Sequence, residues 1–251
     1  MTRYYKIAMP SGFDFFTGKT INYRAAIGAA PVRAPAARGT NPELCTPSVL
    51  HASEVAEQCF VGGKVPCSLY VVEGRSVVSD SQKHGFLQLR VIEELDPAQH
   101  FKWNYAEAAN PVHPFRRTPP DLNNSHIELL RSWASVTASV RASVRASVWA
   151  SVTASVRASV RANVTASSWA SVSASVFDSV FDSVSDSVSA YIGSIFAPVV
   201  DDWRYVTHKP GTFPFQPAVN LWKQGIVPSC DGKLWRLHGH EDARILWEGK
   251  L

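Results

Sequence analysis

RASVRASVWASVTASVRASVRANV, from Arg141 to Val164, repeats every four residues, and its reading decides the fold. Extended to both sides it becomes 14 tetrads of form x-[AD]-S-V between Trp133 and Val188. The fourth position is Val except at Ser168, and the third is Ser except at Asn163. The first position runs Trp, Thr, Arg, Arg and then the same again, Trp133 to Arg161, a higher repeat of 16 residues. In a straight α-helix four residues advance about 400°, so a valine stripe drifts by about 40° per tetrad and soon faces the wrong way. Val and Ser are also mediocre helix formers. A β-solenoid suits the pattern better: one tetrad per side, Val inward, Ser hydroxyl at the bend and a tolerant outward site. Four tetrads then make one four-sided coil. The expectation is a tetrapeptide-repeat β-solenoid over 125–198, with a long α-helix for the repeat as the alternative. Asp178, Asp182 and Asp186 in the Ala slot place that slot away from the deep core. Tyr191, Ile192, Ile195 and Phe196 in SAYIGSIFAP supply a terminal cap of different chemistry.

Outward from the repeat, the composition predicts mixed α+β end domains. In 1–97, YYKIAM and KTINYR flank turn-prone PSG and TG and read as a hairpin. AAPVRAPAARGTNP reads as an exposed loop, and SEVAEQCF as a short helix with Ser53 as N-cap. CSLYVVEGRSVV and GFLQLRVIEEL read as strands. The prolines of 98–124 suggest a linker, after which SHIELLRSW starts a helix with Ser125 as cap candidate. In 199–251, DDWRYVTH reads as a strand and PFQPAVNLWKQG as a helix with Pro217 in its first turn and Gly225 at its end. KLWRLHGHEDARILWEG reads as a hairpin.

The 251 residues carry a net charge of only +4, too little to assign nucleic-acid binding on charge alone. MTRYYKIAMPSGFDFF lacks the apolar run of a signal peptide, and no stretch of about 18 apolar residues exists. The expectation is a cytoplasmic protein without a membrane span. Cys45, Cys59, Cys67 and Cys230 show no C-x-x-C spacing, which argues against a zinc ribbon or disulfide framework. No cofactor or metal is expected. The sequon at Asn163 lies inside the repeat of a chain without an export signal and is discounted.

Candidate sites are few. Along the repeat, Arg141, Arg145, Arg157 and Arg161 interleave with Trp133, Trp149 and Trp169. That combination suits contact with nucleic acid or another anion. The basic first part and acidic last part also suit association between copies of the chain. His51 with Cys45 and Cys59 could form a Cys/His pair, and Glu73 with Glu93 a carboxylate pair, although no third catalytic group is evident. His238 and His240 could clip a metal on one strand face, against the simpler reading of a turn around Gly239. No Walker loop, G-x-S-x-G or H-E-x-x-H motif occurs.

LCTPSVLHASEVAEQCF and CSLYVVEGRSVVSDSQKHGFLQLRVIEELD resemble a domain of unknown function common in phages and their bacterial hosts, often followed by short-period, pentapeptide-like repeats. Leu44, Cys45, His51, Val72, Glu73, Gly74, Lys83, Glu93, Glu94 and Leu95 fall on its pattern, with VLH standing where GFH is usual. PFQPAVNLWKQGIVPSCDGKLWRLH and AYIGSIF look similar to modules of uncharacterised viral and environmental proteins. The resemblance implies a phage-type protein in the host cytoplasm and supports the solenoid; it names no reaction. The function expected is a non-enzymatic interaction or scaffold protein whose repeat binds a host protein, nucleic acid or its own copies. The alternative is an enzyme or small-ligand-binding protein with its site in the N-terminal domain at His51 and Glu73.

Overall fold

Val140, Val144, Val148, Val152, Val156, Val160, Val164, Val184 and Val188 are all buried, and all of them except Val152 lie in α-helices. The computed structural model describes residues 2–36, 41–152, 154–172 and 178–251, with side chains for all of these except 155, 166–172 and 178–183. In chain order it contains β1 (Arg3–Ala8), β2 (Val32–Arg33), β3 (Leu50–Ala52), β4 (Ser68–Glu73), β5 (Ser76–Ser79), β6 (His84–Phe86) and β7 (Gln88–Leu95). The helices α1 (Pro97–His100), α2 (Tyr105–Ala109), α3 (Asn124–Ala134), α4 (Thr137–Ser151), α5 (Ala154–Val172), α6 (Asp178–Phe196) and α7 (Gln216–Lys223) follow. The strands β8 (Val227–Cys230), β9 (Trp235–Gly239) and β10 (Arg244–Gly249) end the chain. The fold is mixed α/β with three antiparallel sheets, and it overturns the β-solenoid: among the described residues the tetrads form no solenoid coil.

The physical reason is an interruption that the straight-helix argument omitted. The α3 and α4 helices both end inside a W-A-S-V tetrad, and α4 and α5 start again just beyond. At Val152 the backbone turns extended, with φ −133° and ψ 138°. Within α4 the stripe Val140, Val144, Val148 therefore rotates by only about 80°, inside the width of an ordinary apolar face. The long-helix alternative fails for the same reason: the repeat is divided, not continuous.

Two compact units result, Met1–Tyr105 with Thr153–Ser159, and Ala106–Val152 with Val160–Leu251. In the first, β1-β4-β7-β2 form one sheet and β3-β6-β5 another, over a core that includes Tyr23, Tyr70, Val72, Phe86 and Leu89. The strand β4 is buried along Ser68–Val72, as its unbroken apolar run requires. β1 pairs with β4, Arg3 opposite Glu73; the expected hairpin to KTINYR reduces to a bridge between Phe13 and Asn22. The expected helix at SEVAEQCF is a 3-10 turn, Ala56–Phe60, without a side-chain cap, because Ser53 is drawn into backbone pairing with Tyr5. The backbone N–H of Val65 donates to Ser159 Oγ (2.8 Å), which fixes the start of α5 in this unit.

In the second unit α4 packs on α6, and α6 on α7 and β8. The C-terminal residues thus share a core with the repeat instead of standing apart from it. Ser143, Ser147 and Ser187 are buried, so the small third tetrad position lies in the packed surface. A Cβ at Gly193 would come within 3.0 Å of Val144 Cγ2, so α4 and α6 approach closely there. Tyr191 stacks on Trp222 at 5.3 Å, and Trp133, fully buried, meets Phe215 edge-on. The cap of α3 is Asn123, not Ser125: its side chain accepts from Ser125 N–H (3.0 Å), and His126 Nδ1 accepts from Asn123 N–H (3.1 Å). The segment DDWRYVTH is turn, with Trp203 buried against Phe213 and Phe215. The segment 98–124 carries the short helices α1 and α2 and a 3-10 turn, and Phe101, Trp103, Tyr105, Ala108 and Phe115 are buried. No helix is long and apolar enough to cross a membrane among the described residues.

This packing sets a stability test. Val148→Ala removes two buried methyl-sized groups and is expected to cost about 2 kcal/mol. Ala142→Gly, on the exposed side of α4, is expected to cost about 1 kcal/mol through helix propensity alone. Urea titration followed by far-ultraviolet circular dichroism measures both; an Ala142→Gly protein as stable as the parent would contradict a helix at this tetrad.

Candidate functional site

With valine and serine turned inward, the first tetrad slot on α4 faces solvent. Arg141, Arg145 and Trp149 follow one another at four-residue spacing, about 6 Å of rise each, and all three are exposed. The Arg145 guanidinium lies 4.9 Å from the centre of the Trp149 ring, a cation–π contact made by i,i+4 geometry. Trp149 nevertheless keeps 57% of its surface accessible. Arg141 Nε donates to Asp186 Oδ1 on α6, and Thr137 Oγ1 donates to Asp186 Oδ2 (3.3 Å). One basic and one acidic residue of the repeat thus meet within a single chain.

The other expected repeat residues are distributed differently. Trp133 is in the core of the second unit. Arg157 belongs to the first unit, half-buried, and desolvation lowers its guanidinium from the ordinary value. Arg161 is exposed in the second. The side chains of Trp169, Asp178 and Asp182 lie outside the described residues.

A second cluster gathers around His51 on β3. The backbone N–H of Cys45 donates to His51 Nε2 (2.8 Å), which assigns the ring proton to Nδ1. Burial, with the nearby Lys6 and Lys83 cations, pushes His51 down to about 4, against the opposing pull of Asp80. The Lys83 ammonium lies 3.0 Å from Cys45 Sγ and 3.9 Å from Asp80 Oδ2. Asp80 Oδ1 in turn accepts from the backbone N–H of Gln82 and Lys83. Cys59 is placed elsewhere: its thiol donates to the Tyr5 carbonyl (2.9 Å), and burial pushes it up to about 11. Glu73 is on β4, in the other sheet of this unit, opposite Arg3 and Arg90. Glu93 is opposite Val71, so the register does not set the two carboxylates across from each other.

The third cluster is internal. His238 on β9 accepts at Nε2 from the Ser229 hydroxyl (2.7 Å), while its Nδ1 donates to the Ala243 carbonyl (2.9 Å). Desolvation lowers the His238 ring from its usual value. This is the bonding order of a Ser–His pair, yet Ser229 is fully buried, so the hydroxyl has no path to a substrate. His240 lies in the turn with φ +63°, against Arg244 at 2.8 Å, and does not join His238 in a metal clip. Among the described residues no group of three or more His, Cys, Asp or Glu could hold a metal ion. Lys83, Asp80 and Ser229 had no individual signal as site partners, since each reaches its partner only through strand pairing or a turn.

The His51 cluster makes stability pH-dependent. The folded protein keeps this ring neutral down to about pH 4, whereas the unfolded chain protonates it near 6.5. Stability from this group is therefore full above 6.5 and is lost as the pH falls toward about 4. Urea midpoints taken at about pH 7 and about pH 4.5 are expected to differ less in His51→Gln than in the parent. An unchanged difference would remove His51 as a contributor. Set against family models, curated proteins and solved structures, the chain matches none of them.

Proposed function

We propose that this chain is a non-enzymatic binding protein, and that the outward face of α4 engages an anionic partner, with single-stranded nucleic acid as the class that fits it best. The observation that carries this reading is the exposed Trp149 ring with the Arg145 guanidinium already seated on it. A base can stack on an exposed indole, and a neighbouring guanidinium meets the phosphate; this pairing recurs in sequence-tolerant single-strand recognition. Arg141, one tetrad toward the start of the helix, is paired with Asp186, so Arg145 is the basic group that this face sets beside Trp149. The Arg141–Asp186 contact supports a foreign partner over a second copy, because it satisfies part of the repeat's charge complementarity internally.

The test is fluorescence anisotropy of a labelled single-stranded oligonucleotide of about 20 nucleotides, titrated with the intact protein at low and moderate salt. Binding that weakens with salt is expected. Trp149→Ala is expected to raise Kd about tenfold, and Arg145→Gln to raise it while flattening the salt dependence by about one counterion. No binding at low salt, or a Trp149→Ala protein that binds as the parent does, would sink the proposal.

A further inference from the structure

We propose that Lys6 is the nucleophile of an amine site on β1, and that it condenses with a small aldehyde or ketone. This does not rest on the α4 reading. Side chains alternate along a strand, and Tyr4 and Ala8, which share the face of β1 with Lys6, both belong to the core of the first unit. Lys6 therefore leaves β1 on the apolar side, and its ammonium lies 5.5 Å from the centre of the buried Tyr23 ring. An ammonium carries three N–H donors, and among the described residues this one makes no hydrogen bond and no ion pair. Asp14, which attracts it, is already engaged: its carboxylate accepts from the Thr17 N–H and hydroxyl (both 2.7 Å) and from the Ile21 N–H (3.2 Å).

A second donor on this face is also unsatisfied. Tyr70 stands opposite Lys6 in the β1–β4 ladder, is fully buried and stacks on Tyr23 at 6.0 Å. Its hydroxyl has no hydrogen-bond partner, because Ser68 and Glu94 beside it are both held by Arg24. Leaving two neighbouring donors without acceptors works against folding, and a guest that brings an acceptor relieves it. Lys6 keeps part of its surface accessible, so such a guest has a route to the amine.

A lysine set among apolar groups holds more of its amine in the neutral, nucleophilic form. Burial lowers the Lys6 ammonium from the ordinary lysine value, against the opposing pull of Cys59 and Asp14. The remaining titratable groups around it are Tyr23, Tyr70 and His51, and Lys6 in turn disfavours a proton on His51. In the reaction the Lys6 Nζ lone pair attacks the carbonyl carbon, a C–N bond forms and the carbonyl π pair moves to oxygen. The Tyr70 hydroxyl is the donor for that oxygen. Both hydrogens of the neutral amine then leave with the oxygen as water, carried through solvent, and an imine remains. Nothing is oxidised or reduced.

The experiment treats the native full-length chain with propanal and cyanoborohydride, which reduces the imine to a stable secondary amine. All nine lysine peptides are then quantified by mass spectrometry across a range of pH. Near neutral pH, Lys6 is expected to be labelled about tenfold faster than the exposed Lys19, Lys64 and Lys102, and to lose that lead in urea-unfolded protein. Its rate is expected to level off at a lower pH than theirs. Tyr70→Phe is expected to slow the Lys6 label by about threefold. Lys6→Met, which removes an unpaired charge from the apolar face, is expected to unfold at a urea concentration at or above that of the parent. A native Lys6 rate no higher than those of Lys19, Lys64 and Lys102 overturns the proposal, as does a lead that survives unfolding. A lowered urea midpoint in Lys6→Met makes the ammonium a structural cation and overturns its reading as an unsatisfied group. A Tyr70→Phe rate equal to the parent's removes the hydroxyl from the step.

Discussion

A valine every fourth residue and a helix that turns 3.6 residues per revolution cannot stay in phase, and the second unit is organised around that mismatch. The apolar stripe walks around the helix by about 40° with each tetrad, while the surface it must meet stays where it is. Two remedies exist: wind the whole assembly, or keep each helix short. The start of the repeat takes the second, at α3 and α4, whereas α5 and α6 run to 19 residues each. The α4 helix keeps Val140, Val144 and Val148 on one buried side and then stops at Val152. The buried serines and the close approach at Gly193 follow, because a stripe that is narrow for a few turns can be packed tightly over those turns.

Much of the surrounding structure was legible where one local template applied without competition. Alternation and β-branched runs gave β4 and β7, Pro217 and Gly225 bracketed α7, and the C-terminal hairpin appears as β9 and β10. The repeat was misread because a four-residue period lies between the templates. Treating it as one straight helix made helix look untenable, and the breaks that rescue it carry no Gly or Pro to announce them. Both breaks fall in tetrads opening with Trp, which has no special power to end a helix. The DDWRYVTH segment failed in the opposite sense, its β-forming residues serving instead to plug a turn with Trp203.

The sites divide in the same way. Arg145 and Trp149 could be paired from the chain alone, since i,i+4 neighbours on a helix touch wherever the helix packs. Trp133 occupies the same tetrad slot as Trp149 and is in the core, so slot identity does not specify exposure; the neighbours of α3 do. The contact between Cys45 and Lys83 spans 38 residues and depends on β3 lying against β6, with the β5–β6 turn carrying the lysine. A long-range meeting of that kind has no periodic signature.

The Arg141–Asp186 contact has a further meaning in a sequence built from near-identical units. Sliding α4 along α6 by one tetrad would replace valine with valine and serine with serine, leaving the apolar seam chemically unaltered. The outward slots are interchangeable in one direction only: a slide one way would bring Thr137 to the place of Arg141 and remove the ion pair, while a slide the other way would set Arg145 there, keep an arginine on Asp186 and replace Thr137 with Arg141. An exposed ion pair adds little to stability, but here it distinguishes alignments that the core alone leaves nearly degenerate. The valines hold the helices together, and it is Thr137 and Arg141 jointly on Asp186 that mark one alignment among them.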